Sequence, residues 1–212
     1  MKDLVIIGAG GFGREIAWLV ERINQKKETW NLIGYIDDGL AVDTEVNQYK
    51  VIGDSNWLIG RKNDLYVLCA IGNAKTRKTI INKIEVNKSL KFATVIDPSV
   101  NISNLVNIGE GSMICAGNNI TVNIDIGKHV IINLDCTIGH DVVLEDYVTL
   151  YPSVNVSGMT HIGTLSEIGT GSAVIQGVEI TNNVIVGAGG VVVNNLIEEG
   201  TYVGLPTQKI KK

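Results

Sequence analysis

Of the three histidines in this 212-residue chain, His129, His140 and His161, only His140 is followed directly by a carboxylate, Asp141. Imidazole is the side chain best matched to taking a proton near neutral pH, and a neighbouring carboxylate can orient it and stabilise the imidazolium. The pair suits a reaction in which an amine or hydroxyl is deprotonated as it attacks. A second set of chemically useful residues lies near the start, where Gly8, Gly10, Gly11 and Gly13 form GAGGFG directly after the apolar run Leu4 to Ile7. Between a strand and a helix such glycines allow a tight turn and let a phosphate approach the helix N-terminus. Asp37 and Asp38 end the next apolar run and are placed to accept hydrogen bonds from a ribose or a base.

These residues must be positioned by two different kinds of element. From Val95 to Leu196 the sequence divides into seventeen hexads without insertion, and the second place of each is Ile, Leu or Val, from Ile96 through Ile138 to Val192. A period of six fits neither a helix nor a simple alternating strand. It fits short strands separated by corners, with the branched residue inward and Gly, Asn, Ser or Asp at turns of positive φ. Three hexads close one coil, so residues 3 × 6 = 18 apart become neighbours at a spacing of about 4.8 Å, and seventeen hexads make almost six coils. Adding 18 to 140 places Gly158 beside His140. An absent side chain there would let a reacting carbonyl approach, and the amide could hold its developing charge.

Before the repeat the pattern alternates strand and helix. Strands are expected at Leu4 to Ile7, Asn31 to Ile36, Leu65 to Ala70 and near Lys91 to Val95, four in parallel. Helices follow Gly13, with Ile16, Ala17, Val20 and Ile23 on one face, and run from about Ala74 to Asn87. The expected organisation is an α/β Rossmann-like domain over 1–92 and an all-β domain over 93–212. A dinucleotide site needs two mononucleotide halves, and the chain enters its repeat before a second half is built, so a mononucleotide ligand is the better inference.

A net charge of −4 argues against nucleic acid or an anionic membrane as partner. The opening residues are too short an apolar run for a signal peptide or a membrane span, which points to a cytoplasmic protein. Cys69, Cys115 and Cys136 are odd in number and lie in apolar stretches, so buried reduced thiols are expected. His129 and His161 are expected at the surface or at an interface. Histidine offsets of 11 and 21 lack the pair five apart of β-helix zinc enzymes, so no metal is expected.

The IG-containing hexads and the ending TYVGLPTQKIKK resemble the hexapeptide-repeat acyltransferases. That resemblance implies a left-handed parallel β-helix and a homotrimer. With IDD at Ile36 to Asp38, AIGN at Ala70 to Asn73, Arg77 one helical turn on, and GHD at Gly139 to Asp141, the whole chain resembles the NeuD and PglD group of sugar acetyltransferases. The group implies acetyl-CoA as co-substrate and a nucleotide-linked sugar bound by Gly10, Gly11, Phe12, Gly13, Asp37, Asp38, Gly72 and Asn73. Acceptors of this kind include UDP- or dTDP-linked 4-amino-4,6-dideoxy hexoses, the amine attacking the thioester directly with His140 as base, Asp141 behind it and the Gly158 amide at the oxyanion. By the same resemblance Asn133 is a polar residue ahead of the catalytic histidine, and Gly169, Gly187, Ala188 and Gly204 contact acetyl-CoA between subunits. A second histidine of some members is replaced here by Thr149. O-acetylation of sialic acid or a polysaccharide precursor and a non-catalytic assembly role are the alternatives.

Overall fold

The computed structural model describes residues 1–210, and the chain folds as two units that meet in sequence between Pro98 and Ser99. The sheet of the first unit is made of β1 (Lys2–Ile7), β2 (Trp30–Ile36), β3 (Glu45–Val46), β4 (Tyr49–Gly53), β5 (Leu65–Cys69) and β6 (Leu90–Phe92). The helices are α1 (Gly11–Lys26), α2 (Ser55–Ile59) and α3 (Ala74–Ile84). The sheet order is β3-β4-β2-β1-β5-β6, with β3 antiparallel to β4 and the other pairings parallel. Five strands therefore run in parallel where the sequence pattern predicts four. The addition is β4, whose short YKVIG has no helix of its own before it and is reached through the β3–β4 hairpin.

Leu4, Val5, Ile6, Val67 and Leu68 are fully buried, as central strands of a parallel sheet require. Helix α1 packs through Ile16, Ala17, Leu19 and Val20. Its close seat on β1 depends on Gly13, because a Cβ built there would stand 1.8 Å from the Gly8 carbonyl oxygen. The connections reverse direction at β1, with β2 and β4 on one side and β5 and β6 on the other. Such a switch point opens a crevice at the carboxyl ends of β1 and β5.

The second unit is a parallel β-helix. One face stacks Asn101–Ile102, Asn119–Ile120, Thr137–Ile138, Asn155–Val156, Ala173–Val174 and Val191–Val192, each paired with the strand 18 residues on. The other two faces keep the same register, as in Asp125↔Val143↔His161 and Ile131↔Thr149↔Glu167. Every second-place aliphatic from Ile114 to Val192 is at most 3% exposed. Fully burying one such side chain is worth about 1.5–3 kcal/mol, so the columns supply most of the cohesion.

The corners obey one rule. The fifth residue of every hexad from Gly111 to Gly189 has positive φ, whether Gly, Asn, Asp, Ser or, less expectedly, His129, Tyr147, Met159 and Leu165. An L-residue pays about 1–2 kcal/mol for this conformation. It is held there because its amide donates to a carbonyl 19 residues earlier, as in Asp141 N to Val122 O (3.1 Å), Met159 N to His140 O (2.8 Å) and Leu165 N to Asp146 O (3.1 Å). Among the described residues no helix is long and apolar enough to cross a membrane.

Candidate active site

His140 occupies the fourth place of its hexad, in the corner between Thr137–Ile138 and Val143–Leu144. Its side chain is half exposed, and Nδ1 lies 2.8 Å from Asp141 Oδ2. A carboxylate only accepts, so Nδ1 carries the hydrogen, which in a neutral ring leaves the lone pair on Nε2, the arrangement a general base needs. The left-handed backbone of Asp141, φ 57°, belongs to the corner rule and brings this carboxylate under the imidazole. Asn123, one coil earlier, donates from Nδ2 to Asp141 Oδ1 at 3.2 Å. These hydrogen bonds, that from His140 above all and then that from Asn123, hold the Asp141 carboxyl below its ordinary range. Asn123 is absent from the residues singled out by sequence, although subtracting 18 from 141 finds it.

Gly158 does lie beside His140. A Cβ built on it would stand 2.6 Å from Nε2 and 2.7 Å from Cε1. The expectation that the missing side chain leaves room for a carbonyl is corrected by this geometry: the vacant space holds the imidazole itself. The Gly158 carbonyl accepts from Gly177 N at 3.0 Å. Among the described residues none accepts a hydrogen bond from the Gly158 amide. Nε2 and a backbone N–H without a protein acceptor among the described residues therefore share one corner, the N–H belonging to a buried residue.

In the first unit the glycines separate by what surrounds them. Gly8 has φ 92° and a built Cβ would meet Ile71 Cδ1 at 2.7 Å, and Gly13 seats α1 on β1. A Cβ on Gly10 would meet nothing within 4 Å, and one on Gly11 only the end of Arg14 at 3.9 Å. Packing explains Gly8 and Gly13, whereas at Gly10 and Gly11 it leaves open ground at the start of α1, whose cap residue Gly10 makes no side-chain hydrogen bond. Phe12 is half-buried beside them.

The two aspartates serve different loops and do not face one ligand as a pair. Asp37 accepts from Ala9 N on Oδ2 and from Gly39 N on Oδ1, each at 2.9 Å, which ties it to the glycine turn. Asp38 is taken up by Ser55, whose amide and hydroxyl each donate at 2.7 Å; these bonds, outweighing the opposing effect of burial, lower its pKa. Asn73 caps α3, accepting from Thr76 N at 3.0 Å. The fully buried Arg77 donates to Ile71 O at 2.6 Å and Gly72 O at 2.9 Å, shaping the loop after β5.

Other candidates sit elsewhere. Asn133 is at a different corner from His140 and turns Oδ1 to the Leu134 amide at 2.8 Å. Gly169 and Gly187 are one coil apart: a Cβ on Gly169 would stand 2.6 Å from Ala188 N, and one on Gly187 2.9 Å from Val203 Cγ1. Coil stacking alone thus requires small residues there. Gly204, φ 100°, accepts from Val191 N at 3.1 Å.

His129 corrects an expectation, being only 4% exposed within the chain itself where a surface or interface position is predicted. It stacks on Tyr147, ring centroids 5.2 Å apart, and fills the space left by Gly111, each one coil away. His161 is half exposed and pairs with Glu145 at 2.9 Å. None of the three cysteines is in a disulfide and all are buried, and burial pushes the Cys136 thiol up to about 11, leaving it protonated and a poor nucleophile. Thr149 is buried.

Residues 3–84 match the PglD N-terminal domain family. Over 127 residues the chain is 33% identical to UDP-N-acetylbacillosamine N-acetyltransferase of Bacillus subtilis, an alignment taking in 55% of this chain and 52% of that protein. The chain thus spans about half the length of the curated relatives it matches. Among solved structures, the acetyltransferase domain of PglB from Neisseria gonorrhoeae in complex with acetyl coenzyme A is similar at a TM-score of 0.91 and 30% identity, over 99% of both chains. PerB from Caulobacter crescentus in complex with CoA and GDP-perosamine is similar at a TM-score of 0.87 and 30% identity, over 100% of this chain and 98% of that one.

Proposed function

Since the chain belongs to the PglD-like family of β-helix acetyltransferases, we propose that it transfers an acetyl group from acetyl-CoA to the amine of a nucleotide-linked amino sugar. One observation carries this reading: Nδ1 of His140 is bound to Asp141 while Nε2 stands over Gly158, whose amide has no protein acceptor among the described residues. A base and an unspent oxyanion donor in one corner are what acyl transfer needs. Full-length similarity to chains solved with acetyl coenzyme A and with GDP-perosamine supports the choice of donor and acceptor class.

In this mechanism the amine nitrogen attacks the thioester carbonyl and passes its proton to His140 Nε2. The carbonyl oxygen, as it gains charge, takes the Gly158 N–H. The C–S bond then breaks, CoA leaves as thiolate, and the imidazolium returns the proton to sulfur. Asp141 keeps the ring in the productive tautomer and steadies its positive charge. General-base catalysis of this type contributes about 10²–10⁴ in rate, and one oxyanion donor about 10²–10³.

The nucleotide-sugar phosphates are assigned to the open ground at Gly10 and Gly11, with Phe12, Gly13 and Gly72 around them. Asp37 keeps lone pairs for a ribose or base, and Asn73 borders the same loop. Asp38 acts by fastening the end of β2 to α2. A homotrimer is the assembly we assign, with Gly169, Gly187, Ala188 and Gly204 along the acetyl-CoA groove and Asn133 supporting the site. Sedimentation equilibrium at three protomer masses is the expected result, and a monomer at assay concentration would refute it.

The substrate test is CoA release measured over UDP-, dTDP- and GDP-linked 4-amino sugars, the matching hydroxy sugars and free sialic acid. Turnover confined to the amines is expected. If only hydroxyl acceptors react, N-acetylation is wrong; if none reacts while a pathway protein is bound tightly, the chain is an assembly factor.

A further inference from the structure

At the end of the first unit's sheet opposite the glycine turn, the loop between α2 and β5 surrounds a hollow of about 520 Å³ lined by Trp57, Gly60, Arg61, Lys62 and Asn63. Because β1 and β5 run parallel, a loop entering β5 and a loop leaving β1 lie at opposite ends of the sheet. This hollow is therefore separate from the crevice assigned to the nucleotide.

Its lining carries two cationic side chains and no carboxylate. The Arg61 guanidinium stacks on Trp57, 4.9 Å from the ring centroid. Its Nε is shut off from solvent and has no hydrogen-bond partner. Closed to solvent, that N–H is closed to a ligand in the hollow as well, so the exposed remainder of the guanidinium is what Arg61 can offer there. Among the described residues none accepts from the side chains of Lys62 and Asn63 or from their backbone amides. The neighbouring carboxylate, Asp64, is already engaged by Lys91.

The loop is also held still. Asn87 donates from Nδ2 to Leu58 O (2.8 Å) and Ile59 O (3.2 Å) at the end of α2 and to Arg61 O (2.8 Å) in the loop. With Gly60 N and Arg61 N donated back to α2 and these carbonyls turned to Asn87, the Lys62 and Asn63 amides and the two cations remain for the hollow, a concavity suited to negative charge. Stacking on the indole fixes the plane of the guanidinium, so its N–H fork is presented in one orientation.

We propose that the Trp57–Arg61–Lys62–Asn63 loop binds a soluble oxyanion, a phosphate or diphosphate group, at a site distinct from the acetyl-transfer centre. Arg61 supplies the forked contact, Lys62 the second charge, and the Lys62 and Asn63 amides the remaining donors.

The chain has three tryptophans, so the full-length protein labelled with 5-fluorotryptophan gives one fluorine resonance for each, and Trp57→Phe identifies the relevant one. Titration with pyrophosphate at constant ionic strength should move the Trp57 resonance to saturation and leave those of Trp18 and Trp30 in place. Arg61→Gln should weaken the apparent affinity at least tenfold, and Arg61→Lys, which keeps the charge but not the fork, by less. Circular dichroism verifies that both variants fold, and Lys62→Ala, on an exposed side chain, supplies an independent loss if either does not. A stationary Trp57 resonance, or one that moves alike in wild type, Arg61→Gln and Lys62→Ala, overturns the proposal. So does a response only to phosphatidylglycerol vesicles, which would assign the loop to a membrane surface. Acetyl transfer is measured separately, so failure here leaves the catalytic assignment intact.

Discussion

The His140 corner and the glycine turn after β1 both depend on missing side chains, but for different reasons. In the β-helix two glycines are demanded by a ring one coil away: Gly158 makes room for His140, and Gly111 for His129. In the glycine turn of the α/β unit two glycines are demanded by packing, Gly8 and Gly13, and two by nothing in the protein, Gly10 and Gly11. A repeat builds its site by letting one position depart from its neighbours. A non-repeating turn builds its site by leaving a surface uncovered. On the proposed function, the first site rests on a side chain and the second on an absence.

The largest effect is expected at the departure itself. His140→Ala should lower kcat by about 10²–10⁴ with an unchanged thermal melt, because the residue is half exposed and supports no column. Undiminished turnover would remove the proposed base. Next is Gly13→Ala, whose methyl would collide with the Gly8 carbonyl; a loss of about 3 kcal/mol or more should appear in denaturant unfolding of the first unit. An unaltered midpoint would show that α1 does not need its close seat.

Gly158→Ala sharpens the contrast, since its methyl meets the tip of a side chain able to swing away. Stability should change by less than about 1 kcal/mol, whereas displacing the imidazole should cost about 10²-fold in kcat. Equal activity would mean Nε2 is not held where it reacts. Gly11→Ala should behave inversely to Gly13→Ala. With only the end of Arg14 nearby, it should leave stability the same or raise it by about 0.4–1 kcal/mol, and should raise KM for the nucleotide sugar. A lower melting temperature with unchanged KM would assign Gly11 to packing.

The smallest effect concerns Glu145, which pairs with His161 and accepts from Thr164 N and Oγ1. Those bonds, led by the Thr164 hydroxyl and working against partial burial, depress its pKa from the ordinary 4.5. With the folded pKa lowered, the unfolded chain binds more protons just below the ordinary value, so the stabilisation is fully present above it and is lost as the pH falls through the folded pKa. For a partly exposed group it is worth less than about 1 kcal/mol. Wild type should therefore melt slightly above Glu145→Gln at pH 7, with the gap closing in acid; a gap constant with pH would contradict the assignment.

The repeat is legible in sequence because its physics is local and iterated. A branched residue every sixth place states its own burial, and a coil of 18 converts sequence separation into neighbourhood, which pairs Gly158 with His140 and, by the same count, Asn123 with Asp141. The same arithmetic connects His129 to Gly111 and Tyr147, yet burial of that ring depends on two side chains fitting together. In the α/β unit little can be counted. That Asp37 reaches back to Ala9, that Asp38 is claimed by Ser55, that β4 enters the sheet as a fifth parallel strand and that Arg61 lies on Trp57 are contacts between residues with no fixed separation. A periodic chain encodes its third dimension in its spacing, whereas partners brought together by loops of arbitrary length are settled only when the backbone has closed.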